Sequence, residues 1–208
     1  ELKNVKNYIF DLKNLSKTKK IILKIKPDYI FHLAAQAIVK KSYQNPIETW
    51  QSNLFGTLNI LQSLRGLKKK CKVVIITSDK VYKNIETERG YLEKDTIGGD
   101  DPYSASKGAT EILLNSYLRS FISKENSNIA LSIARAGNVI GGGDWSEGRL
   151  IPDCIKFWRK KKKLIVRNPS STRPWQHVLE VLTGYLMLAE KLSQNKNKFH
   201  GEAFNFGP

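Results

Sequence analysis

Tyr103 and Lys107, in the run "YSASK", stand four residues apart at the head of a segment with helical apolar spacing, which puts both side chains on one helix face. An ammonium beside a phenol favours the phenolate and lowers a pKa that is ordinarily about 10. A tyrosine so placed can take the proton of an alcohol while the carbon that bears it is oxidised. A second group lies in "TSDKVY", residues 77–82, where Ser78, Asp79 and Lys80 set a hydroxyl, an acid and a base side by side behind the apolar run "KVVII". The plain alternative for the latter is a strand-end turn with solvated charges. A Tyr-x-x-x-Lys pair also arises by chance in a lysine-rich chain with eight tyrosines. Position in the fold decides between these readings.

The elements that must hold these residues are legible as a pattern. "DYIFHLAA" (28–35), "KVVIITS" (72–78) and "IALSIARAG" (129–137) are short β-branched apolar runs of the kind that form parallel strands buried on both faces. Between them, 46–67 carries Trp50, Leu54, Leu58, Leu61 and Leu64 at helical spacing, and 103–123 carries Ile112, Leu113, Tyr117, Leu118 and Phe121. Alternating strands and helices predict an α/β fold, a Rossmann-like doubly wound parallel sheet with right-handed crossovers. Its strand ends "HLAAQ", "TSDK" and "ARAGN" should meet at one cleft, where such sheets bind ligands. Beyond Gly137, "NVIGGGDWSEG" reads as a Gly-rich loop, "IPDCIKFWRK" as a helix, "KLIVRN" as a short strand, "RPWQHVLEVLTGYLMLAEKL" as a long helix and "GEAFNFG" as a last strand. The expected division is a sheet domain over 1–137 and 174–208, with a substrate-binding portion over 138–173.

Composition narrows the classes. No run of about 18 apolar residues is present to span a membrane, and no signal-peptide pattern opens the chain. The net charge of +16, from 35 basic and 19 acidic residues, raises a nucleic-acid surface as an alternative. The lysine runs at 68–70 and 160–163 follow helices without interleaved aromatics, which reads instead as a solvated basic face. Cys71 and Cys154 stand in unrelated contexts and predict two reduced cytosolic thiols rather than a disulfide or metal ligands. His32, inside a strand, reads as a core histidine. His177 opens a helix, and with His200 the three make no metal-ligand spacing. Trp50, Trp158 and Trp175 read as packing residues, and Trp145 is left open.

Seven motifs in order, "HLAAQ", "NLFGTLNIL", "TSDKVY", "DPYSASKGATE", "RAGNVIGGGDW", "RLIPD" and "RPWQHV", resemble the extended short-chain dehydrogenase/reductases. Within them the chain looks like the sugar-nucleotide 4,6-dehydratases, and most like those acting on CDP-glucose. Related dTDP-glucose and GDP-mannose enzymes generally carry Asp-Glu where this chain has Asp79-Lys80, and "RDW" where it has Arg173-Pro174-Trp175. The resemblance implies an NAD-dependent lyase of deoxysugar synthesis for surface polysaccharide such as O-antigen. C4 of the glucose is oxidised with NAD as hydride acceptor, water is lost across C5 and C6, and the hydride returns to C6, giving CDP-4-keto-6-deoxyglucose. Tyr103 would take the C4 hydroxyl proton, Lys107 would hold the phenolate and the nicotinamide ribose, and Ser78 would bond the C4 oxygen. Asp79 would be the acid for the C6 hydroxyl if burial raises its pKa. Lys80 would be either a base for C5, neutral through burial near Lys107, or a fixed charge that stabilises the enolate.

The same resemblance places other residues. Ala34, Ala35, Gln36 and Thr77 would run along NAD, Asp11 and Leu12 would sit beside its adenine, and Asn53 would lie near the active-site backbone, with Thr57 a helix packing position. Asn138, Arg149 and Arg173 would contact the substrate's diphosphate and nucleotide, as arginine suits phosphate. The family normally opens with a strand and a Gly-rich turn for the NAD pyrophosphate. No such turn is in these residues, and "GGGD" at 141–144 is in the wrong context. The expectation is a fragment of a cytoplasmic homo-dimer or homo-tetramer, weakly folded and inactive alone, with a gap where N-terminal strands belong. The same-fold rival is a sugar-nucleotide epimerase, which needs no acid–base pair for elimination. A non-catalytic remnant is the third possibility.

Overall fold

The computed structural model describes residues 3–123, 127–166 and 168–208. Its strands are β1 (Tyr29–His32), β2 (Cys71–Ile76), β3 (Ile129–Ala136), β4 (Asn138–Ile140), β5 (Trp175–His177) and β6 (Ala203–Phe206). Four of them form a parallel sheet in the order β1-β2-β3-β6, with Ile30 beside Val73, Ile75 beside Ile133 and Ala136 beside Phe206. The helices are α1 (Leu15–Ile25), α2 (Val39–Gln44), α3 (Pro46–Trp50), α4 (Gly56–Leu64), α5 (Pro102–Ser120), α6 (Leu150–Arg159), α7 (Val178–Gln194) and α8 (Lys196–Phe199).

The apolar runs are continuous because both sheet faces are covered. Val73 and Ile75 point into a core made with Ile22 of α1, Leu61 and Leu64 of α4 and Leu114 of α5. Val74 points the other way, into a second core with Val181, Tyr185 and Leu188 of α7. Every residue of β3 is buried. This is the Rossmann-like α/β architecture with helices on both faces. Among the described residues β1 has no neighbour on its outer edge, where Tyr29 is 45% exposed. The strand order runs one way from that edge, so the reversal expected at the site is not among these strands.

Several expected elements differ in detail. The helix expected over 46–67 is three pieces: α3, a π-helical turn at Gln51–Phe55, and α4. The wide turn turns Asn53 inward, and the Asn53 carbonyl accepts from the hydroxyls of Thr57 (2.7 Å) and Thr110 (3.3 Å). The loop expected from Asn138 begins with β4, which pairs in parallel with β5. The helix expected from Arg173 therefore starts only at Val178, because Trp175, Gln176 and His177 are held extended by that pairing. Gly137 permits it, since a Cβ there would lie 2.6 Å from the Pro174 ring. "KLIVRN" forms no strand over 163–166, and its Arg167 lies outside the described residues. Helices α1 and α2 were not anticipated from the sequence.

Candidate active site

The ends of β2 and β3 open on a cleft of about 1100 Å³ lined by residues 77–80 and 136–138; after β1 it is residues 37–40 that line it and not "HLAAQ" itself, so the expected convergence holds for two of the three motifs. At the end of β2 the chain turns through a short 3-10 turn, Asp79–Val81. Ser78 caps it: its Oγ accepts from the Lys80 backbone N–H at 3.2 Å and donates to Asp79 Oδ1 at 3.0 Å. Opposite this turn, α5 begins with a capping box. Asp101 Oδ1 accepts from the N–H groups of Tyr103 (2.9 Å) and Ser104 (3.1 Å), Ser104 Oγ accepts from the Asp101 N–H (3.2 Å), and Pro102 takes the first helical position. "DPYS" thus fixes where the helix starts and aims Tyr103 at Ser78.

Ser78, Tyr103 and Lys107 are buried, and Asp79 and Lys80 are half-buried. Burial pushes the Asp79 carboxyl above the usual carboxylate range, against the opposing pull of Lys80, the Ser78 hydroxyl and Arg173. That is the condition the acid role required. Tyr103 departs from expectation. Burial pushes its phenol up, and the nearby Ser78 hydroxyl offsets this only in part. Lys107 does not lower it, because the Lys107 Nζ is turned to the Ile76 carbonyl at 3.2 Å. Burial also brings Lys107 down to about 8, with Glu111 acting in the other direction.

The other expected residues divide into those on the cleft and those behind it. Asn138 and Arg149 line it. Arg149 Nε stands 3.0 Å from Asp144 Oδ2, yet its buried N–H is not directed at that carboxylate and bonds to nothing among the described residues. Arg173 is exposed and off the cleft wall. Its guanidinium donates to the Thr172 carbonyl at 2.6 Å, and its charge reaches Asp79. Asn53 does not face the cleft. Its side chain accepts from the Gln36 N–H (2.8 Å) and donates to the Gln36 carbonyl (3.1 Å) and to Ser106 Oγ (2.9 Å), tying the loop after β1 to α5. The Gln36 side chain is likewise engaged, with Ile38 in its own loop and with Thr49 of α3. Ala34 is exposed and Ala35 half-buried at the end of β1, where Leu33 is also bare. Leu12 packs on the core, and Asp11 is exposed beside Lys13.

Two histidines are structural. His32 Nε2 meets Thr57 Oγ1 at 3.0 Å, and His200 Nδ1 accepts from the Leu131 N–H at 3.0 Å. His177 caps α7 at the cleft wall. Trp145 lines the mouth, half exposed, while Trp158 is 66% exposed rather than packed.

The sequence reading missed the network that backs the site. Glu111 accepts from Thr77 Oγ1 (2.7 Å) and from Arg135 Nε (2.9 and 3.1 Å), with side chains 1% and 4% exposed. Arg135 also donates to the Tyr82 hydroxyl (2.7 Å), which donates to Asn205 Oδ1 (2.6 Å). The signals were present: Glu111 lies one helical turn beyond Lys107, and an arginine inside an otherwise apolar strand requires a buried partner.

Residues 1–207 match the family described as GDP-mannose 4,6 dehydratase. The chain belongs to that family. Among individual members and neighbours, it is 44% identical to the CDP-glucose 4,6-dehydratase of Salmonella typhimurium, over 98% of the chain and 57% of that protein. It is 28% identical to the UDP-glucose 4-epimerase of Mycoplasma genitalium, over 96% of the chain and 61% of that protein. In structure it overlays a dTDP-glucose 4,6-dehydratase from Streptomyces venezuelae crystallised with NAD, with a TM-score of 0.80 at 22% identity, covering 95% of this chain and 56% of the other. That likeness fixes the fold. The chain spans less than two thirds of the length of these relatives.

Proposed function

We propose that this chain is the greater part of the nucleotide-sugar site of an NAD-dependent CDP-glucose 4,6-dehydratase working in the cytoplasm, where its cofactor and substrate occur, as a dimer or tetramer. One observation carries the reading. A carboxyl raised by burial, Asp79, sits next to a serine that meets a buried tyrosine, at the strand ends where a sugar ring would enter. An epimerase has no use for such an acid. The 44% identity to a CDP-glucose enzyme supports the cytosine nucleotide.

The residues present fit the nicotinamide end of NAD. Ala34 is bare at the end of β1, and the buried Lys107 amine has one described hydrogen bond, to Ile76, leaving donors free for a ribose. No Gly-rich turn for the pyrophosphate is among the 208 residues. When bound, NAD supplies a reversible hydride acceptor at C4 of the hexose.

Around it the side chains have separate tasks. Tyr103 holds the C4 oxygen with Ser78 and accepts the C4 hydroxyl proton. Turning the Lys107 ammonium from the Ile76 carbonyl toward the phenol would bring Tyr103 into range. Once C4 is a ketone, the C5–H bond is acidic. Elimination breaks that bond and the C6–O bond and forms the C5–C6 double bond: the C5 proton passes to solvent in the open cleft, Asp79 gives its proton to the departing hydroxyl so that water is released, and solvent then reprotonates Asp79. Lys80, beside Asp79, acts as the fixed positive charge on the enolate oxygen. Arg149, with an undirected N–H at the wall, and Asn138 hold the diphosphate. Arg173 steers from the rim.

The test is the full-length protein with NAD and, separately, CDP-glucose, dTDP-glucose and GDP-mannose, followed by mass spectrometry. Loss of one water from CDP-glucose alone is expected. Loss only from another sugar nucleotide overturns the base assignment, and isotope exchange at C4 without water loss overturns the dehydratase reading in favour of an epimerase.

A further inference from the structure

Helix α7 crosses the sheet face opposite α5 and places a second phenol in the cleft. Tyr185 is 5% exposed, and its ring packs against Phe206 edge-on, with centroids 5.5 Å apart and planes at 78°. Residue 184 makes this possible. It is a glycine, and a Cβ there would lie 2.6 Å from two carbons of the Phe206 ring. The missing side chain lets α7 settle onto β6, which carries Tyr185 to the cleft wall shared with Tyr103 and Asp79. The Tyr185 hydroxyl is not among the buried atoms left unpaired and so reaches the open space of the cleft. Among the described residues nothing bonds to it, although the phenols of Tyr82, Tyr91 and Tyr117 are all paired.

Building on the dehydratase reading, we propose that Tyr185 is a substrate-contacting residue whose neutral hydroxyl donates a hydrogen bond to a hydroxyl of the hexose, opposite the Ser78–Tyr103 side. Its ring is packed in the α7 core, so the donor is held in place before the sugar arrives. Burial pushes the phenol up to about 12, and the neighbouring Tyr103 adds to this, so Tyr185 keeps its proton when Tyr103 gives one up. The two tyrosines therefore divide the work: Tyr103 exchanges a proton and Tyr185 orients the ring. The contact is to the sugar, not to the base or the diphosphate, and this makes it separable.

The experiment uses the full-length protein loaded with NADH, which cannot accept hydride, so that ligands bind without turnover. Calorimetry compares wild type and Tyr185→Phe for CDP, UDP, dTDP and GDP and for the glucosyl derivative of each. The variant keeps the ring that packs on Phe206. The expected result is a three- to tenfold weaker affinity, roughly one neutral hydrogen bond, for the glucosylated ligand, with the parent diphosphate and the melting temperature unchanged. Equal affinities in the two proteins overturn the proposal, as does a parallel loss for diphosphate and sugar nucleotide or a lowered melting temperature. Preference for a base other than cytosine overturns the CDP reading while Tyr185 is still judged on the base that binds. Binding of none overturns both.

Discussion

Replacing Glu111 by Gln tests whether the buried pair behind the cleft is as consequential as its geometry implies. The carboxylate is 1% exposed and answers three donors: Thr77 Oγ1, Arg135 Nε and the adjoining Arg135 amine. Gln keeps the shape but removes the charge and turns an amide N–H₂ toward one of those donors. Arg135, 4% exposed, is left as a buried cation facing the phenol of Tyr82, with centre to ring 4.9 Å. Breaking one side of a buried pair costs about 3–5 kcal/mol, whereas an exposed pair is worth about 0–1. For a protein domain of this size that is a fall in melting temperature on the order of 6–20 °C. The assay is urea unfolding of the full-length protein by circular dichroism, with Arg135→Met and the double variant completing a cycle. The double variant should recover much of the loss, since no unpaired charge remains. A Glu111→Gln loss below about 1 kcal/mol, the value of a surface pair, would refute the reasoning.

Other perturbations have outcomes as definite. Burial holds His32 down at about 4, below its ordinary 6.5, so the unfolded chain binds its proton first. Stability is full above pH 6.5 and falls as pH drops from 6.5 toward 4. His32→Gln should flatten that limb in chemical denaturation, and an unchanged slope would contradict it. Gly99→Ala would put a Cβ 2.4 Å from the Ala105 nitrogen and 2.5 Å from the Ser104 carbonyl carbon, backbone atoms of the first turn of α5. A loss of about 1–3 kcal/mol is expected, with reduced turnover as Tyr103 is displaced, read by thermal melting and steady-state kinetics.

What the sequence made legible, and what it did not, follows from how far each signal reaches. The strand runs at 72–78 and 129–137 were readable because burial on both faces demands unbroken apolar residues, and β2 and β3 satisfy that demand. "DPYSASK" was readable because capping and one helical turn are local, so Tyr103 and Lys107 could be placed on one face in advance. The pairing of β4 with β5 was not, because it joins residues 37 or so apart and depends on Gly137 letting Pro174 come close. The break at Gln51–Phe55 escaped because π-turns conserve the apolar spacing while rotating one polar residue, Asn53, inward. The sign of the Tyr103 shift was misjudged for a related reason: spacing gives proximity to Lys107, but burial and the Ile76 carbonyl determine what that ammonium does. Glu111 and Arg135 are far apart in the chain and meet only in three dimensions, so neither stood out alone.

The central claim is that Asp79 serves an elimination beside a redox tyrosine, and Asp79→Asn in the full-length protein with NAD and CDP-glucose tests it most directly. Mass spectrometry of the quenched nucleotide sugars would follow two products, the C4-ketone that still carries its C6 hydroxyl and the ketone that has lost water. The account predicts that the variant forms the first and little or none of the second. Water loss at the wild-type rate would contradict it.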